Sequence, residues 1–374
     1  MPLRFLAAAL AVFFTLGGAL AASEIRQTDE MAVEITPVVE GLDSPWAVGF
    51  LPGGALLITE IDGRLLHVAP DGTRTEVAGM PEVAARGQGG LLDLLVPRDF
   101  AERREIFFTF AKPQRGQAGT ALARGVLSGD GARLDGVEVI WELVPGSRGG
   151  RHFGSRIVEG TDGYLYVTVG DRGDRPSAQD IGNENGSVIR ITRRGTVPAD
   201  NPLVGRADAR PALWTWGHRN PQGLTLDGQG RLWGIEHGAR GGDEVNLVER
   251  GTNYGWPVIS YGRHYSGMRI GEGTEREGLA QPAHYWDPSI APSGAAFVTG
   301  GPFEAWRGDL LVGSLKFGLI SRLEVEGETV REVERIETPE TARVRDVRLG
   351  PDGAVWFLSE GNGTLYRMQP APAG

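Results

Sequence analysis

Asp162-Gly163-Tyr164-Leu165-Tyr166-Val167-Thr168-Val169 sets a tight-turn dipeptide before six residues rich in β-branched and aromatic side chains. Asp-Gly followed by such a run reads as a turn feeding a strand. Glycine adopts positive φ at no steric cost, and branched and aromatic residues fit a pleated surface. The unit recurs on both sides. Pro52-Gly53-Gly54 precedes Ala55-Leu56-Leu57-Ile58-Thr59, and Asp227-Gly228-Gln229-Gly230 precedes Arg231-Leu232-Trp233-Gly234-Ile235. Gly308-Asp309 precedes Leu310-Leu311-Val312-Gly313, and Asp352-Gly353 precedes Ala354-Val355-Trp356-Phe357-Leu358. Arg103-Arg104-Glu105-Ile106-Phe107-Phe108-Thr109-Phe110 is a divergent copy between the first two.

Six such units, one about every 55 to 60 residues, are close to the size of a propeller blade. No segment carries a sustained 3.6-residue apolar period with caps, which excludes an α/β class. The expectation is an all-β, six-bladed β-propeller over residues 35–370. A large β-sandwich is the competing reading, and the recurrence of one turn-strand unit weighs against it. Functional residues of a propeller belong on loops at one mouth of its channel, at equivalent positions in different blades.

Composition agrees. Glycine supplies 57 of the 374 residues without a G-X-Y period, which excludes collagen. The chain is 40% hydrophobic with nine tryptophans, enough to build a core and to exclude disorder. There is no cysteine, hence no disulfide, thiolate metal site or cysteine nucleophile. The net charge of −10 argues against a nucleic-acid partner or an anionic membrane. Met1–Ala21 reads as a secretory signal, with Arg4 in the n-region, an apolar stretch from Phe5 to Leu20, and Ala19-Leu20-Ala21 as the cleavage site. Residues 22–34 then read as an N-terminal linker. Nothing later approaches the roughly 20 apolar residues of a membrane span. The mature chain is therefore expected in a bacterial periplasm or outside the cell, without membrane insertion.

Several polar clusters exceed what a scaffold needs. Gly149-Gly150-Arg151-His152-Phe153-Gly154 leads to a strand that ends in Gly170-Asp171-Arg172-Gly173. A histidine before a strand and an aspartate at its exit can meet across one loop face, and a base needs such a carboxylate to fix its tautomer. Gly217-His218-Arg219-Asn220-Pro221-Gln222 crowds Arg, Asn and Gln onto one turn. Glu236-His237-Gly238-Ala239-Arg240-Gly241-Gly242-Asp243 reads either as a carbonyl- and carboxylate-rich loop suited to a hard cation or as an ordinary hairpin loop. Arg343 and Arg345, two apart on a strand, share a face and repel unless carboxylates or an anion sit opposite. With Lys316, one of two lysines in the chain, they can form a basic pocket for a multi-carboxylate ligand.

Taken in order, Gly87-Gln88-Gly89-Gly90, Arg151-His152, Gly170-Asp171-Arg172-Gly173, Gly217-His218-Arg219-Asn220-Pro221-Gln222-Gly223, Asn253-Tyr254-Gly255-Trp256-Pro257, Ala291-Pro292-Ser293-Gly294, Ser314-Leu315-Lys316 and Arg343-Val344-Arg345-Asp346-Val347 carry a family resemblance. The chain resembles the soluble PQQ-dependent aldose sugar dehydrogenases of the glucose/sorbosone dehydrogenase family, six-bladed propellers, over residues 35–368. The resemblance implies His152 as general base toward the anomeric hydroxyl and Asp171 as the carboxylate that orients it. It implies hydride transfer to the C5 carbonyl of PQQ, polarised by Ca²⁺ on the backbone carbonyls of Gly238 and Ala239. Arg219 falls near the developing oxyanion. Asn220, Lys316, Arg343 and Arg345 fall where PQQ is held, and Gln88 falls beside the active centre. The implied partners are an aldose and an unidentified periplasmic electron acceptor.

His284 and Asp287 stand where glucose-specific members carry a Tyr and a Trp, and Ala239 stands where they carry a proline. These departures point toward the shorter, broad-range members. A calcium-dependent propeller lactonase would instead hold its metal with Glu, Asp and Asn side chains and needs no cationic pocket. A non-catalytic binding propeller has no need for both His152 and Asp171.

Overall fold

The computed structural model describes residues 22–372; the expected signal, Met1–Ala21, lies outside the described residues. Six antiparallel sheets stand in a ring, five with four strands and one with five. Their first strands are Pro45–Phe50, Leu91–Leu95, Ile157–Glu159, Pro221–Leu226, Pro292–Phe297 and Val344–Leu349. Each touches the next, and the last returns to the first, so the ring is closed around a channel. The chain is a six-bladed β-propeller.

The turn-strand units read from the sequence are the second strands of the blades: Leu56–Glu60, Glu105–Gln114, Leu165–Val169, Leu232–Glu236, Leu310–Ser314 and Val355–Ser359. They stood out because both faces are covered. Leu56–Glu60, Leu165–Val169, Leu232–Glu236 and Leu310–Ser314 are buried at every residue, so they read as continuous apolar runs rather than as alternation. The core accordingly lies between blades. Leu57, Leu94 and Phe108 pack between blades 1 and 2, and Trp233, Phe297 and Leu310 between blades 4 and 5.

Residues 22–34 are not a linker. Glu24–Gln27 and Ala32–Val39 pair with each other, and the second of these pairs with Thr364–Pro370 of blade 6. Val33 and Ile35 alternate into the core, so the N-terminal segment closes the ring by hydrogen bonds. Pro37 is tolerated because the register slips there, between Pro37 and Val39, which relieves the ladder of one donor.

A hydroxyl device ties neighbouring blades. Thr59 Oγ1 accepts from Ala47 N and donates to the Leu92 carbonyl of the next blade. Thr109 does the same with Asp93 N and the Ser155 carbonyl, and Thr168 with Arg156 N and the Pro221 carbonyl. In blades 1 and 2 this sits at a bulge of the first strand, where the hydroxyl accepts from an inner-strand N–H beside the slipped register. Because first and second strands are antiparallel, the start of one and the end of the other lie at the same end of each blade. Those loops together build one mouth of the channel.

Candidate active site

His152 and Asp171 enter the mouth from the two sides of one hairpin. His152 precedes the first strand of blade 3 and Asp171 follows its second. His152 Nδ1 lies 2.6 Å from Asp171 Oδ1. The approach needs glycine: a Cβ on Gly170 would sit 2.0 Å from the His152 carbonyl oxygen. Asp171 is buried and also accepts from Gly173 N at 2.7 Å and Trp256 Nε1 at 2.9 Å. Burial raises its pKa, but the His152 hydrogen bond and charge more than reverse this, leaving it below the ordinary carboxylate value. The ionised carboxylate therefore holds the proton on Nδ1 and leaves Nε2 as the free acceptor of the ring. Burial pushes the His152 pKa down, the Asp171 hydrogen bond pulls it back in part, and the Arg219 charge lowers it again. The imidazole is thus neutral and able to take a proton at neutral pH.

The cavity above this pair has a volume of about 1090 Å³. Its wall includes Gln88, His152, Arg219, Gly238, Ala239 and Lys316. Gln88 Oε1 accepts from His152 N at 2.6 Å, so it also holds the loop that carries the base. Arg219 donates to the His237 carbonyl at 3.1 Å, its backbone N–H donates to Glu236 at 2.7 Å, and its buried Nε has no partner among the described residues. Burial lowers the Arg219 pKa. His237 also lines the cavity, with its Nε2 bonded to the Pro292 carbonyl at 2.6 Å; burial first, then Arg219, push its pKa down to about 3. It stays neutral, and no role for it was read from the sequence.

Lys316 Nζ donates to the Ser289 carbonyl at 3.2 Å, and Arg343 reaches the cavity from the start of blade 6. A single carboxylate offsets Arg343 beside Arg345. Glu360 bonds both, Arg343 Nε at 3.0 Å and Arg345 through Nε and Nη2 at 3.0 and 2.9 Å. Glu360 lies 15 residues beyond Arg345 on the facing strand exit, which spacing alone does not reveal. Arg345 is 8% exposed and does not line the cavity wall. Asn220 likewise lies beneath the wall, with Oδ1 accepting from Gly154 N at 3.1 Å. Seven of the ten sequence-expected site residues thus line the cavity, and Asp171, Asn220 and Arg345 lie behind its wall.

The Gly238–Gly242 loop stands over Asp287, which lines the cavity too; a Cβ on Gly241 would meet its Oδ1 at 2.3 Å. His284 does not line the cavity; it packs edge-on against Trp286. The long segment between the last two strands of blade 4 contributes Arg263 and an exposed Tyr265, neither singled out from the sequence. The residues present fit a flat polyanion. Lys316 and Arg343 reach one wall of the cavity, and among the described residues the buried Arg219 Nε has no acceptor. Backbone carbonyls at Gly238 and Ala239 and the Asp287 carboxylate offer the oxygen donors a hard cation takes. Among the described residues no helix is long and apolar enough to cross a membrane.

Comparison with known proteins bears on this arrangement. The profile described as Glucose / Sorbosone dehydrogenase matches residues 42–367. The chain is similar to aldose sugar dehydrogenase YliI of Escherichia coli K12, 40% identical over 345 residues that cover 90% of this chain and 93% of that protein. In structure it is similar to the apo form of the soluble aldose sugar dehydrogenase of Escherichia coli, with TM-score 0.87 and 38% identity over 91% of this chain and 100% of that one. It is also similar to the PQQ-bound aldose sugar dehydrogenase of Streptomyces coelicolor, with TM-score 0.77 and 26% identity over 90% of this chain and 98% of that one. With the profile spanning almost every blade and a histidine–aspartate pair set at the mouth, the chain belongs to the glucose/sorbosone dehydrogenase family.

Proposed function

We propose that the chain is an exported quinoprotein that oxidises the anomeric carbon of aldoses to lactones. The observation that carries this reading is a neutral, Asp-oriented histidine in a cavity that also presents Arg219, Lys316 and Arg343. The His152 Nε2 takes the proton of the anomeric hydroxyl while the anomeric hydrogen leaves with two electrons, so that the C1–O bond becomes a carbonyl. Asp171 stabilises the imidazolium that forms, and Trp256 holds Asp171 in place. Arg219 supports negative charge that develops across the cavity. When bound, PQQ supplies the two-electron oxidant and Ca²⁺ makes it a stronger acceptor. Lys316 and Arg343 would hold PQQ, Arg345 and Asn220 would brace that wall, and the carbonyls of Gly238 and Ala239 would hold the cation.

A propeller lactonase is disfavoured because Asp287 is the only carboxylate among the residues lining this cavity. Met1–Ala21 supports export, and the physiological acceptor then works in the periplasm. Mature protein from that compartment is expected to begin near Ala22 on N-terminal sequencing. The activity is tested by adding PQQ and Ca²⁺ to the purified protein and following dye reduction with a panel of aldoses. Quinone-dependent reduction with lactone as product is expected; no reduction with any aldose would overturn the reading.

A further inference from the structure

Blade 4 carries three arginines abreast at the rim of the cavity. Arg240 N donates to the Arg263 carbonyl at 3.0 Å and Arg263 N to the Arg240 carbonyl at 3.1 Å. A reciprocal pair of this kind places the two residues directly opposite, with both side chains leaving the same face. Arg269 lies opposite Arg263 across the next bridge and extends the row outward. Arg240 and Arg263 line the cavity, and all three are exposed.

Like charges placed directly across a ladder repel. Two other arginines of blade 4 are matched: Arg231 pairs with Asp227, and Arg276 with Glu272. Among the described residues none of the three ladder guanidinium groups has a hydrogen-bond or ion-pair partner. The ladder is also separate from the basic wall assigned to the quinone, which comes from blades 5 and 6. The exposed Tyr265 ring, two residues from Arg263, offers an apolar face of the kind that packs on a sugar.

We infer that the Arg240–Arg263–Arg269 ladder is an anion subsite that selects aldoses carrying a carboxylate or phosphate away from the anomeric carbon. This rests on the reading of the cavity as the aldose site. The sugar enters with C1 toward His152, and its acidic group is held by the fork of a ladder guanidinium.

The test is calorimetric titration of the pre-reduced holoenzyme, which cannot turn over, with glucuronate, glucose 6-phosphate and glucose. Glucuronate or glucose 6-phosphate is expected to bind at least tenfold tighter than glucose, and the stronger of the two identifies the anion. Raising ionic strength to about 1 M, where the screening length is about 3 Å, should abolish the preference. The triple variant Arg240→Gln/Arg263→Gln/Arg269→Gln should lose it while glucose still binds. Arg269→Glu alone, at the outermost position, should reduce it. Equal affinities for all three sugars, or a preference that survives the triple variant, overturns the inference. So does a loss of PQQ affinity in the triple variant as large as the loss for glucuronate, which would assign the ladder to the quinone. If glucose is oxidised but acidic sugars bind no tighter, this inference fails and the proposed function stands. If acidic sugars bind tighter but no sugar is oxidised, the subsite stands and the proposed function fails.

Discussion

Two groups of arginines share the channel and behave oppositely. Along the axis, Arg156 donates to Asp346 at 2.7 Å and to the carbonyls of Gln222 and Arg345 at 2.6 and 3.0 Å. Arg348 bonds Asp346 at 2.9 Å and Asp93 at 2.5 Å. Arg156, Asp93 and Asp346 are almost wholly buried, and these two arginines and two aspartates sum to zero charge. Burial lowers the Arg348 pKa, but the two aspartates more than reverse this and leave it above its ordinary value. At the mouth, Arg219, Arg240, Arg263 and Lys316 have no carboxylate partner among the described residues, and Arg343 shares Glu360 with Arg345. The difference separates scaffold from site. Where every guanidinium meets a carboxylate the charges join the inner edges of three blades, and where they do not the protein holds positive charge for an anionic ligand.

The axis is the more fragile of the two arginine groups. Asp346→Ala leaves the buried Arg156 and the half-buried Arg348 with one carboxylate between them, and should cost about 3–5 kcal/mol of stability. Thermal denaturation checks it, and an unchanged Tm would mean that the network does not hold the axis. Arg343→Ala removes charge at the mouth instead. It should weaken PQQ binding roughly ten- to hundredfold, as for loss of a hydrogen bond to a charged group, with Tm close to that of the parent. Fluorescence titration with PQQ decides this, and normal quinone affinity would count against the assigned role. The smallest effect is on pH dependence. The base must be neutral, and burial depresses the His152 pKa, so the acid limb of kcat/KM should lie below the ordinary histidine value of about 6.5. Asp171 favours the charged imidazole, so Asp171→Asn should move that limb further toward acid while lowering the rate. A limb above that value in the parent enzyme would contradict the burial argument.

The sequence made the second strands legible because burial on both faces writes itself as unbroken apolar runs. It hid the ring closure because Glu24–Gln27 is mostly exposed and polar, and because Pro37 interrupts an otherwise alternating Ala32–Val39. The His152–Asp171 pair was readable because one hairpin joins its members. Trp256, which donates to Asp171 from 85 residues away, was not. Nor was the Glu360 clamp, since it depends on how two strand ends of blade 6 face each other. Gly294 shows the same limit: a Cβ there would lie 2.2 Å from Asp346 Oδ1, a constraint set by the neighbouring blade and not by the turn.

The central claim is that the mouth divides its labour, with His152 moving the proton and the cationic wall holding the oxidant. Measuring kcat and PQQ affinity side by side for His152→Ala tests this most directly. Loss of a general base should lower kcat by roughly 10²- to 10⁴-fold while PQQ affinity stays within about twofold of the parent. A variant that keeps its kcat, or one that loses quinone binding in proportion to its rate, would contradict the account.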